Sequence, residues 1–257
     1  MTARRLAALG LAAALVAPPA AAEEIAALYR VSWAGLPAGE LRLTLRDDTA
    51  TYRAEIAISS AGIAHLATHF RASAASEGRF AAAGLPAPAR YDALYDLRKR
   101  KDRRLSMQFL PRGGAVVAER GAGDTSTKPP LDEQFRANVV DPLSALAAIR
   151  RELRRGNRGQ FKLPVYDGAR RFDVAVRVLP KRGGDPALDL ELTLAPIAGF
   201  KGETSEDGDP DTAKRVVALA LSDDSRLLPL AMSVPLYYLT LVVELAHPCD
   251  AANPCPW

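Results

Sequence analysis

The sequence predicts a mainly β protein: an antiparallel curved sheet or incomplete β-barrel with one principal α-helix, about residues 141–155, packed on it. Two observations carry this. Segment after segment alternates apolar and polar residues with period two, the mark of a strand with one dry face. Against that background one stretch, DPLSALAAIRRELRRG from Asp141 to Gly156, carries a full set of helix punctuation. Asp141 offers a capping carboxylate, Pro142 suits the first helical position and Gly156 supplies the stop. Pro142, Leu146, Ile149 and Leu153 share one stripe, widened by Leu143, so the helix needs a sheet to lie on. Arg150, Arg151, Arg154 and Arg155 crowd its last turns, where cations complement the helix dipole.

Residues 1–22 read as a secretory signal: Arg4 and Arg5, an apolar run from Leu6 to Ala17, and small residues at Ala20–Ala22 before Glu23. The run is too short to anchor in a bilayer, and no cysteine near the cut marks a lipoprotein. A periplasmic location is the expectation. The remainder, about 235 residues, holds 32 basic and 30 acidic side chains, a balance that favours no class of charged partner. Nucleic acid is not an expected partner there, and the basic runs at 98–104 and 150–158 read first as solvated turns and helix faces, with anionic lipid as the sharper alternative.

The strands follow in order. Ile25–Trp33 opens the set with Tyr29, Val31 and Trp33 on one side. After the Gly35–Gly39 turn, Leu41, Leu43 and Leu45 alternate with Arg42, Thr44 and Arg46, and Tyr52–Ser59 makes a third strand. Ser60–Phe70 is a short helix or bent edge by the spacing of Ile63, Leu66 and Phe70. Strands resume over 71–80, 91–98, 103–110 and 115–120, and 121–134 is a loop by its Gly, Thr and paired prolines. Beyond the helix, Gln160–Tyr166 leads into Asp167-Gly168, a hairpin turn suited to positive φ. Phe172, Val174, Val176 and Val178 form one stripe; Leu188, Leu190, Leu192 and Leu194 another; Val217, Leu219 and Leu221 a third. Residues 227–245 are apolar enough to raise a membrane span, but Pro229, Pro235, Ser233 and Glu244 argue against it, and the pattern after Pro235 suits a strand. The chain is thus expected not to span a membrane. Residues 23–246 are expected to be one β-rich domain, followed by a tail, 247–257, whose Cys249 and Cys255 form a local disulfide in an oxidising compartment.

Several short blocks, YRVSWAGLPAGEL, VVDPLSALAAIR, LPVYDGARRFDV and VPLYYLTLVVEL, make the chain resemble the domain-of-unknown-function family 3108 over about Glu24–Leu245. The resemblance implies a single exported β-rich domain and transfers no catalytic residue.

Chemistry is sparse. His65 and His69 have the i, i+4 spacing of metal ligands but no third ligand nearby in sequence, and are read as ordinary polar residues. Asp207, Asp209 and Asp211 imitate a calcium loop, yet Thr212 and Ala218 stand where glycine and glutamate are needed. Asp167 and Gly168 with Arg170 and Arg171 form a polar knot able to hold an anion, read first as a hairpin turn. There is no nucleophile elbow, phosphate loop or dinucleotide fingerprint, and no cofactor or metal is expected. The preferred function is a non-enzymatic periplasmic protein that binds or carries a hydrophobic, lipid-like envelope ligand. Leu188, Leu190 and Leu192 would line the cavity, and Arg150, Arg151, Arg154 and Arg155 would stand at its rim. The competing reading is a structural or protein-interaction module with a filled core, and an envelope hydrolase comes third. Alternation alone serves a cavity and a packed core equally.

Overall fold

The computed structural model describes residues 23–62, 65, 69–81, 86–97, 100–111, 116–120, 130–181, 183, 186–200, 213–236, 239–250 and 253–255. Among the described residues thirteen strands form one antiparallel sheet. The first arm runs β1 (Glu23–Trp33), β2 (Leu36–Asp47), β3 (Thr51–Ser60), β4 (Arg71–Arg79), β5 (Ala87–Leu97), β6 (Arg100–Gln108) and β7 (Val117–Arg120). A short helix α1 (Glu133–Arg136) and the principal helix α2 (Pro142–Arg154) follow. The second arm is β8 (Gln160–Tyr166), β9 (Arg171–Val178), β10 (Ala187–Ala198), β11 (Arg215–Ser222), β12 (Pro229–Leu236) and β13 (Leu239–Cys249). Within each arm neighbours in sequence are neighbours in space; β1 pairs with β13 and joins the arms, leaving β7 and β8 at the two ends.

The sheet is open but strongly curled. Met107 of β6 and Tyr166 of β8 belong to one buried core, although nearly the whole sheet separates them. The β8–β9 turn lies against β6: a Cβ on Gly168 would run into the Leu105 side chain. Gly168 also has φ of 91°, so glycine is required there by backbone and by space alike. The β8 edge is guarded in two ways. Pro164 brings no N–H to the strand, as edge strands tolerate. Val140 bridges to Val165, taking the Tyr166 N–H at 2.9 Å and donating to the Pro164 carbonyl at 2.9 Å.

The alternation sorts the two faces as the sequence requires. Leu41, Leu43 and Leu45 are buried with Ile25, Ala27, Tyr29 and Val31, while Arg46 and Arg53 lie outside in exposed ion pairs. Trp33 departs from the expected stripe and is 48% exposed. It sits at a tight hairpin tip, where Ala34 and Gly35 both have positive φ, beyond the last layer of core.

Helix α2 starts where its cap is. Asp141 accepts from the N–H groups of Leu143 and Ser144, each at 2.9 Å, and Gly156 takes positive φ just past the end. The helix packs on β3 and β4 from the first arm and on β8 from the second, so it fills the curl. Its stripe is Leu143, Ile149 and Leu153, all buried; Leu146 is half-buried for a reason given below.

Candidate functional site

Between helix and strands lies a partly open apolar cavity of about 390 Å³. Leu143, Ala145, Leu146 and Ile149 of α2 form its floor. Leu41, Leu43 and Ile56 supply the first arm's wall, and Val174, Leu192, Val217 and Leu219 the second arm's. Leu146 is half-buried: it packs against the core on one side and faces this space on the other. The lining is apolar apart from the Tyr29 hydroxyl, and that donates to the Pro229 carbonyl at 3.0 Å. Burial pushes this phenol well above its ordinary range, so it stays neutral. Such a volume is at the lower end for small-molecule sites.

The residues expected at the site are distributed differently from each other. Leu192 stands in the cavity wall; Leu188 and Leu190 share its face but pack in the second arm's core. The four arginines lie at the opposite end of α2 from Pro142. Arg150 does not reach a rim: it is 1% exposed, donating to Asp47 at 2.7 Å and to the Arg226 carbonyl at 2.7 Å. One residue past Ile149 and three before Leu153, it is on the edge of the buried stripe, so the helix carries it inward. Arg154 joins Asp47 at 2.6 Å and the Ser225 carbonyl at 3.0 Å. Arg151 stacks over the Phe80 ring at 4.3 Å and donates to Ala81. Arg155 pairs with Glu152, at 3.7 Å. The first three fasten the helix to the β2–β3, β4–β5 and β11–β12 connections.

At the helix start Asp141 is buried among hydroxyls. It accepts from Ser144 and from Ser76 at 2.9 Å, and Tyr52 shares a hydrogen bond with Ser144 at 2.7 Å. Burial is the larger influence and holds the carboxyl above the usual carboxylate range, against the donors that favour its charge. No imidazole belongs to this network. His65 contacts Ser60 at 3.3 Å and faces His69, ring centroids 4.6 Å apart; among the described residues no cluster of three metal-ligating side chains forms. The Asp207–Asp211 loop lies outside the described residues, as do residues 1–22.

A feature at the cavity's other end was only half legible in sequence. A smaller recess of about 310 Å³ shares Pro142, Phe172 and Leu194 with the cavity and is bordered by Asp167, Arg170 and Arg215. The Asp167–Arg170 knot was visible as a turn; its meeting with Arg215 needed the sheet. A broader depression of about 780 Å³ lies on the outer face of β2–β6. It is floored by small residues such as Ala57 and Ser73, and two ion pairs border it, Arg53 with Glu55 at 2.6 Å and Arg90 with Asp92 at 2.5 Å. Its lining mixes these charged groups with apolar side chains such as Ile56, Leu94 and Leu105.

The family model described as "Protein of unknown function (DUF3108)" matches residues 28–183. The chain belongs to this family. No curated protein matches it. Among solved structures it is similar to a β-barrel-like protein of domain of unknown function DUF1849 from Brucella abortus. The TM-score is 0.53 at 10% identity, covering 89% of this chain and 98% of that one. At that identity the likeness establishes the fold alone: an open, barrel-like antiparallel sheet. The family supplies no activity to map, so the site rests on its own geometry. No described helix is long and apolar enough to cross a membrane. Cys249 and Cys255 are disulfide-bonded, with Cα atoms 5.3 Å apart, which fits an oxidising compartment.

Proposed function

We propose that this member of the family is a non-enzymatic periplasmic protein that carries a hydrophobic, lipid-like ligand of the cell envelope in the space above α2. The carrying observation is the cavity: about 390 Å³, walled by aliphatic side chains from the helix and both arms. Burying an apolar ligand there removes apolar surface from water on both partners, worth roughly 25 cal/mol per Å². The leader-like residues 1–22 and the disulfide support export to the periplasm.

The test is binding of 1,6-diphenylhexatriene, an uncharged rod that fluoresces when shielded from water, to wild type and to Val217→Phe. Val217 is buried and faces the cavity, so the added ring occupies ligand space. Wild type should bind saturably, and the variant about tenfold more weakly with undiminished thermal stability. If the interior were filled, the same substitution would overpack it and cost about 1–3 kcal/mol. That outcome, with no saturable binding to wild type, would favour an interaction module.

A further inference from the structure

We infer that the ligand is an amphiphile with an anionic head group, carboxylate or phosphate, held between Arg170 and Arg215 while its chain occupies the cavity. The inference rests on the carrier reading and adds the chemistry of one end of the ligand. The recess adjoins the cavity, the two sharing Pro142, Phe172 and Leu194 in their linings. A chain lying along the apolar walls would therefore emerge beside these two guanidiniums. Arg170 comes from the β8–β9 turn and Arg215 begins β11, so two separate hairpins converge at the opening. Arg170 is held by Asp167, with Arg170 Nε to the carboxylate at 3.0 Å, and lies 5.6 Å from the centroid of the Phe200 ring. The Asp167 carboxylate also accepts from the backbone N–H groups of Ala169 and Arg170, so the turn is preorganised. With one carboxylate and two guanidiniums, the recess carries a net positive charge of one from these groups. Guanidinium planes suit bidentate recognition of carboxylate or phosphate.

Calorimetric titration at low salt, below micelle formation, uses dodecanoate, dodecyl phosphate, dodecanol and dodecyltrimethylammonium with wild type and with the double variant Arg170→Gln/Arg215→Gln. The two anions should bind wild type about tenfold more tightly than dodecanol, as one charge-assisted contact pair would give. In the double variant that preference should shrink to within about threefold. Dodecanol binding reports that the variant is folded. Whichever anion is tighter identifies carboxylate or phosphate. Equal binding of anions and alcohol by wild type, a preference surviving in the double variant, or tighter binding of the cationic amphiphile would each overturn the head-group site while leaving the cavity reading standing. Failure of all four to bind would instead remove the cavity reading itself.

Discussion

Asp47 is the anion on which the end of the helix depends. It is buried, and both Arg150 and Arg154 donate to its Oδ2, at 2.7 and 2.6 Å. Asp47→Asn removes the carboxylate but leaves Arg150 buried beside a second cation, a loss of about 3–5 kcal/mol for breaking one side of a buried pair. Urea unfolding should show this as a fall in midpoint at unchanged slope; a change under about 1 kcal/mol would mean the charges reach water. Asp141 behaves in the opposite sense to most carboxylates. Burial raises its folded pKa above the ordinary 3.8, so its protonated form is favoured by folding. Its contribution is complete below the unfolded value and is lost as pH rises through the folded one. Asp141→Asn keeps an accepting oxygen for the Leu143 and Ser144 N–H groups without a charge. The stability of wild type relative to this variant should therefore decline as pH rises from about 4 upward. A difference independent of pH would show that Asp141 titrates normally.

At the scale of the element, α2 has two different jobs along one stripe. Leu153 is packed to 2% exposure, whereas Leu146 looks into the cavity. Leu153→Ala should cost about 2–5 kcal/mol. Leu146→Ala should cost less, because that side chain is only partly buried, and it should enlarge the ligand space. Equal losses in denaturant unfolding would place Leu146 in a packed core. The helix itself was legible: Asp141, Pro142 and Gly156 mark its ends, and local chemistry is enough to do so. Its arginines were not. Whether a cation on the border of a stripe turns outward or inward depends on a partner such as Asp47, which is 103 positions away. No local pattern encodes that distance.

Across the whole molecule, strand after strand was readable from alternation, and the repeated hairpins follow from it. The joining of β1 to β13, which closes the two arms into one curled sheet, is a long-range pairing that periodicity does not carry. The same limit applies to the site. Leu188, Leu190 and Leu192 are equivalent in sequence, but only Leu192 reaches the cavity, since the helix covers the others' end of the sheet. Arg170 and Arg215 become neighbours of one recess only after β9 and β11 have both paired with β10. The central claim is that this interior holds a ligand. It is tested most directly by native mass spectrometry of the protein purified without detergent from the envelope of the cell that makes it, paired with solvent extraction of the same sample. The account predicts a bound mass of a few hundred daltons, recovered in the solvent as a single-chain amphiphile and reduced in Val217→Phe. A spectrum of bare protein alone, with nothing extracted, would contradict it.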